Sequence, residues 1–151
     1  MSKSKNIFKC GLVIVLLFAC FLLTGCSNAV ELNKEVEVKI DGVKITVLGS
    51  YDDVVDEGEL SIRNGDYTKV KVSIENTLDD NYSWTVLNFQ LGEETPSLNA
   101  LTMDDALPLE VENGETMTGY IYFNKTDADT LTYISTNLNG KKAEKVEFNI
   151  K

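Results

Sequence analysis

The sequence predicts an all-β domain: a two-sheet antiparallel sandwich of seven or eight short strands behind an apolar leader. Three observations carry that expectation. Short runs alternate apolar and polar side chains, the period-2 pattern of a sheet with one buried and one wet face. Turn signals such as Asp41-Gly42, Asn113-Gly114 and Asn139-Gly140 separate the runs. Beyond the leader, no amphipathic stretch is long enough for a helix. A two-sheet sandwich fits this spacing of strands and turns, and a closed barrel fits it too.

The elements follow in order. Glu35 to Ile40 alternates, Asp41-Gly42 turns the chain, and Val43 to Leu48 resumes the alternation. Asp52 to Asp66 reads as an acidic loop with a short strand at Leu60 to Ile62. Tyr67 to Glu75 is the cleanest strand, with Val70, Val72 and Ile74 on one face and Lys69, Lys71, Ser73 and Glu75 on the other. Tyr82 to Leu91 reads as one longer strand, with Leu87, Phe89 and Leu91 on one face and Trp84 and Val86 on the other. Gly92 to Ala106 is irregular, with a short strand or helical turn around Asn99 to Ala106. Leu107 to Val111, Glu115 to Phe123, Leu131 to Ser135 and Lys145 to Ile150 complete the set.

The leader has a secretory layout. Lys3, Lys5 and Lys9 precede an uninterrupted apolar core from Leu12 to Leu23, short of the roughly 20 residues needed to cross a bilayer. Small residues then lead to a cysteine. The tetrapeptide Leu23-Thr24-Gly25-Cys26 resembles the lipobox of bacterial lipoproteins. The resemblance implies that a lipoprotein signal peptidase reads Leu23, Thr24 and Gly25 and cuts before Cys26. The Cys26 sulfur would then carry a diacylglyceryl group. An uncleaved anchor and a plain secretory signal, leaving a free thiol, are the alternatives. The expected organisation is a signal peptide over 1–25, a lipid-anchored tether over 26–34 and a β-sandwich over 35–151.

The leader holds three of the 14 basic residues and none of the 24 acidic ones, so the remainder carries −13. That charge argues against nucleic acid, whose phosphates would be repelled, and against a domain that hugs anionic headgroups. Cys10 and Cys20 leave with the signal, so Cys26 stays alone and no intrachain disulfide forms. The chain has no histidine, which excludes His-dependent triads, His-based zinc sites and a histidine switch.

Val70-Lys71-Val72-Ser73-Ile74-Glu75-Asn76 and the segment Gly114-Glu115-Thr116 to Gly119-Tyr120-Ile121-Tyr122-Phe123 resemble two signatures of one family. Its members are small immunoglobulin-like domains of unknown function in Gram-positive lipoproteins. Their fold is grouped with a secreted mycobacterial immunoprotective antigen. The likeness spans roughly Glu35 to Lys151, departing where members often carry proline and this chain has Asn113. It implies an immunoglobulin-like sandwich at the extracellular face of the cell membrane, and it supplies no catalytic residues and no cofactor.

Asp52, Asp53, Asp56, Glu57 and Glu59 could offer hard oxygens to calcium, but they lack EF-hand spacing and suit solvated turns; no metal site is expected. Asp79-Asp80, Asp104-Asp105 and Asp127/Asp129 read the same way. Paired carboxylates could hydrolyse envelope glycans, though sequence fixes no such geometry, and no Ser-x-x-Lys or Gly-x-Ser-x-Gly nucleophile motif occurs. Trp84, Tyr82, Tyr120 and Tyr122 could form an aromatic ligand surface, because Thr116, Thr118, Tyr120 and Tyr122 share one parity opposite Met117 and Ile121. The expected function is a non-catalytic, lipid-anchored extracytoplasmic binding module. Its partners would be the membrane, through Cys26, and an envelope protein or polymer. A carboxylate- or metal-dependent envelope enzyme and a passive spacer are the alternatives.

Overall fold

The computed structural model describes residues 34–38 (backbone only), 42–135 and 144–150. Leu23, Thr24, Gly25, Cys26, the tether before residue 34 and the Asn139-Gly140 turn lie outside them. The described residues are all-β. Their strands are β1 (Lys34–Val38), β2 (Val43–Val55), β3 (Gly65–Asn76), β4 (Tyr82–Ser83), β5 (Phe89–Leu91), β6 (Glu110–Val111), β7 (Thr116–Asn124), β8 (Thr130–Ile134) and β9 (Lys145–Asn149). The large sheet has the order β1-β2-β3-β7; a second sheet has β5-β8-β9, and β4 and β6 form a short ribbon. Every strand pair is antiparallel.

The two sheets close on one core, which makes the fold sandwich-like. The large sheet contributes Val43, Ile45, Val47, Val70, Val72, Ile74, Ile121 and Phe123. Phe89, Leu91, Leu131, Tyr133, Phe148 and Ile150 face them from the second sheet and its end. Trp84, Leu107 and Val111 fill the flank. Each such side chain contributes roughly 1.5–3 kcal/mol by leaving water. Val70, Val72 and Ile74, which the alternation puts on one face, are all buried.

The two signature segments meet at one corner. Asn76 ends β3 and is buried. Its Nδ2 donates to the carbonyls of Asp80 (2.9 Å) and Val111 (3.0 Å), while its Oδ1 accepts from the Leu78 N–H at 2.9 Å. Its backbone N–H donates to the Glu115 carbonyl, and the Gly114 N–H donates to the Asn76 carbonyl. Gly114 has φ +73°, a left-handed turn that glycine adopts without strain. One amide side chain thus fastens the end of β3 to the turn that starts β7.

Three expected elements differ. The strand expected from Leu107 to Val111 is confined to Glu110–Val111, because the Leu107 N–H instead donates to the Tyr120 carbonyl at the edge of β7. Tyr82 to Leu91 is not one strand. Asn88 Oδ1 accepts the Thr85 N–H at 2.7 Å, and the Asn88 N–H returns to the Thr85 carbonyl, a local turn of the kind Asn favours. The break resets the parity: Trp84 and Phe89 both enter the core with rings edge to face at 5.4 Å, and Leu87 is exposed. The expected loop from Asp52 starts later, because β2 continues to Val55 against Gly65. Leu60 to Ile62 is turn rather than strand.

Candidate functional site

The outer face of the large sheet carries a second cluster, and a β-bulge builds it. β2 and β3 pair regularly up to Val47↔Val72, after which Gly49 pairs with Lys71. Leu48 is the extra residue, two against one. Because side chains alternate faces, one added residue changes which parity points outward. Ile45 and Val47 face the core before the bulge. After it, Tyr51 and Asp53 face outward, beside Lys69 and Tyr67 on β3. Tyr120 and Tyr122 of β7 lie opposite Lys71 and Lys69 on the same face.

Lys69 is the hub. Its Nζ lies 2.6 Å from Asp53 Oδ2 and 3.7 Å from Asp105 Oδ2. It also sits 4.5 Å from the Tyr120 ring centre and 5.5 Å from that of Tyr122, within cation–π range. Burial works against the lysine charge, but the Asp53 hydrogen bond and the Asp53 and Asp105 charges outweigh it, so its pKa lies above the ordinary 10.5. Tyr122 donates its hydroxyl to Asp105 Oδ1 at 2.7 Å. Burial first, then Asp105, raises the Tyr122 pKa well above 10.0. Edge-to-face contacts extend the cluster: Tyr51–Tyr120 at 5.9 Å and Tyr67–Tyr122 at 5.6 Å.

A flap covers part of this face. The segment from Pro96 to Leu107 docks on the edge of β7. Ser97 N–H donates to the Tyr122 carbonyl, Tyr120 N–H to the Asp105 carbonyl and Leu107 N–H to the Tyr120 carbonyl. Between these ties a 3-10 turn, Leu98–Ala100, sets Ala100 against Tyr67 and Tyr122. The close approach needs Gly119, where a Cβ would stand 2.6 Å from Leu107 backbone atoms.

Burial corrects the expected aromatic surface. Trp84 is only 2% exposed, and its Nε1–H donates to the Pro108 carbonyl at 2.6 Å. It is a core residue with a satisfied donor. Tyr82 is also buried, with its hydroxyl 2.7 Å from that of Tyr133. Tyr122 has the predicted outward parity but is 5% exposed beneath the flap. Of the named residues only Tyr120 is partly exposed, and Tyr51 joins it. Sequence reasoning missed Tyr51, Asp53 as a partner of Lys69, and Asp105; Gly49 directly after a strict alternation was the available signal for a bulge.

The acidic residues disperse. Asp52 pairs with Lys125, Asp53 with Lys69 and Glu57 with Arg63. Asp56 Oδ1 accepts the Gly58 N–H. Among the described residues, no three His, Cys, Asp or Glu side chains gather as a metal-holding group, and no helix is long and apolar enough to cross a membrane.

No curated protein matches. A protein from Listeria monocytogenes, functionally unknown, aligns with TM-score 0.55 at 13% identity, over 79% of this chain and 83% of its own. A candidate lipoprotein of Bacillus subtilis, ycdA, aligns with TM-score 0.51 at 16% identity over 80% of this chain, which spans 39% of its length. The secreted MPT63 of Mycobacterium tuberculosis aligns with TM-score 0.43 at 14% identity, over 74% of this chain and 88% of its own. The first two likenesses concern the fold. Residues 32–145, most of the sequence, match the model of a domain of unknown function, DUF4352, and the chain belongs to that family.

Proposed function

We propose that this protein is a lipid-anchored, extracytoplasmic module of the immunoglobulin-like kind that binds rather than catalyses, holding an envelope protein or polymer on its outer sheet face. The sandwich-like packing of antiparallel sheets supports the immunoglobulin-like architecture, a class that tolerates differences of topology. Leu23-Thr24-Gly25-Cys26 behind a short apolar core supports the anchor. A diacylglyceryl thioether gives two chains, and each buried methylene is worth about 0.8 kcal/mol.

The observation that carries the binding reading is the outer-face cluster. Tyr51 and Tyr120 offer ring surface beside Lys71, whose Nζ is 5.9 Å from the Tyr120 ring centre. Beside them Lys69, Asp53, Asp105 and Tyr122 are tied together by two ion pairs and one hydrogen bond, a floor for the rings. Tyrosines on such a floor add contact area at little entropic cost. A carboxylate-based hydrolase would need one acid with a raised pKa across a cleft; Asp53 and Asp105 instead share Lys69.

Two measurements test the proposal. Cys26→Ala should abolish incorporation of labelled lipid, and retained label would sink the anchor. For the surface, cross-linking on intact cells should be compared between the native protein and Tyr51→Ala/Tyr120→Ala, with Tyr122 left in place because it is structural. Loss of the cross-linked species with an unchanged melting profile supports the reading; undiminished cross-linking refutes it.

A further inference from the structure

We infer that the tip of the β2–β3 hairpin rests on the same bilayer that holds the lipid of Cys26, with Leu60 and Ile62 touching the acyl region. The inference rests on the anchoring reading above.

The first observation is inverted polarity at the tip. Leu60 is 97% exposed, Ile62 75% and Val54 74%. The polar groups of the same turn face one another. Arg63 pairs with Glu57 at 2.6 Å, and Ser61 Oγ donates to Glu57 Oε2 at 2.9 Å. Asn64 Nδ2 donates to the Gly58 carbonyl, and Asn64 Oδ1 accepts the Glu57 N–H. Arg63 also donates to the Thr102 carbonyl, bracing the turn against the flap. The side chains of Glu57, Ser61, Arg63 and Asn64 close their hydrogen bonds within the turn and the flap, so these groups are not stranded where the tip leaves water, and its aliphatic groups gain by that step.

The second observation is direction and reach. β1 is antiparallel to β2, with Lys34 opposite Val47 and Val38 opposite Val43. The chain therefore enters Lys34 from the side toward which β2 runs on to Val55. Beyond Val47, the hairpin overhangs that entry point by roughly 25 Å at strand rise. Cys26 precedes Lys34 by eight residues, a span of at most about 26–29 Å. The tether can reach no further than about the length of the overhang, so an anchor on that side brings the tip to the membrane surface. Asp56, Glu57 and Glu59 collar the tip, so the contact favours zwitterionic over anionic headgroups.

The test uses the protein carrying its lipid on Cys26, in phosphatidylcholine vesicles with brominated acyl chains. The sole native tryptophan, Trp84, is buried and should keep its emission. Leu60→Trp should lose most of its added emission. Asp79→Trp, at the far end beyond β3, should not. Phosphatidylglycerol should weaken the quenching of Leu60→Trp, and salt should restore it. The intact mass reads the anchor separately: a lipid-free Cys26 refutes the anchoring reading, and a synthetic diacyl maleimide on that thiol then supplies the anchor for the same measurement. Unquenched Leu60→Trp on vesicle-bound protein, or equal quenching of Asp79→Trp, overturns the inference. So does a photo-cross-link from position 60 to a protein without quenching, which would assign the tip to a protein partner.

Discussion

The β2–β3 pair has two halves that use the same backbone pairing for opposite purposes. In the half from Val43 to Val47, against Val72 to Asn76, the buried side chains face the second sheet and are aliphatic up to Asn76, which closes the strand. In the half from Gly49 to Val55, against Gly65 to Lys71, Val70 and Thr68 keep the inner face, and the outward side chains form a cluster that is aromatic and charged. Leu48 separates them. The difference teaches that composition alone does not place the site on the outer face. That placement comes from one unpaired residue that changes which parity is outward.

The strongest way to break the comparison is to change the number of residues at the bulge. Deleting Leu48 alone should iron out the bulge, keep Gly49 opposite Lys71 and leave Tyr51 and Asp53 outward. Deleting Leu48 and Gly49 together should turn Asp53 to the inner side, opposite the buried Thr68, and strip it from Lys69. An uncompensated inward charge costs about 3–5 kcal/mol. Urea unfolding should show the double deletion far less stable than the single one; equal losses would show that the bulge does not assign the faces.

A substitution in each half sharpens the contrast. Ile74→Ala leaves a cavity between the sheets and should cost about 2–5 kcal/mol. Lys69→Met keeps the length of the side chain but removes the charge shared by Asp53 and Asp105. Lys69 and Asp53 are partly exposed, so solvent screening holds the loss to roughly 1 kcal/mol. Chemical denaturation reads both. A larger loss for Lys69→Met than for Ile74→Ala would make the outer cluster the principal support of the fold.

Much of the fold was legible in the sequence where one face is buried and the other wet. Val70-Lys71-Val72-Ser73-Ile74 needs only alternation to be read, because burial enforces it residue by residue. The same rule misled at two places. Tyr82 to Leu91 has strand composition, yet Asn88 folds back on Thr85 and moves Trp84 from an expected surface into the core. Tyr122 has the outward parity, but the flap that covers it arrives from Pro96 to Leu107, a segment with no periodic pattern to announce it. Parity tells which face a residue takes; it does not tell whether another segment covers that face. The acidic run from Asp52 had the opposite fault. Its composition reads as loop, but pairing with β3 and the Lys69 and Lys125 ion pairs hold Asp52 and Asp53 in strand. Cys26 lies outside the described residues, and its expected lipidation is what the leader and the lipobox resemblance imply.

The smallest expected effect is also the most specific to the outer cluster. Tyr122→Phe removes only the hydroxyl that Asp105 accepts, at a cost of about 1 kcal/mol near neutral pH. Its signature lies at high pH. The folded protein raises the Tyr122 pKa above 10.0, through burial first and Asp105 second. Between pH 10 and the folded value, the unfolded chain has released a proton that the folded chain still holds. Folding stability therefore falls as pH rises through that window, at up to about 1.4 kcal/mol per pH unit for this group. Lys69, also raised, adds a decline of the same sign in both proteins. Melting curves taken from pH 7 upward should start with the native protein more stable. Above pH 10 the two should converge, because Phe has no proton to lose. Parallel curves would mean that Tyr122 is packed in the outer cluster without its hydroxyl being part of the charge network, and the floor beneath Tyr51 and Tyr120 would then rest on Lys69 and its two aspartates.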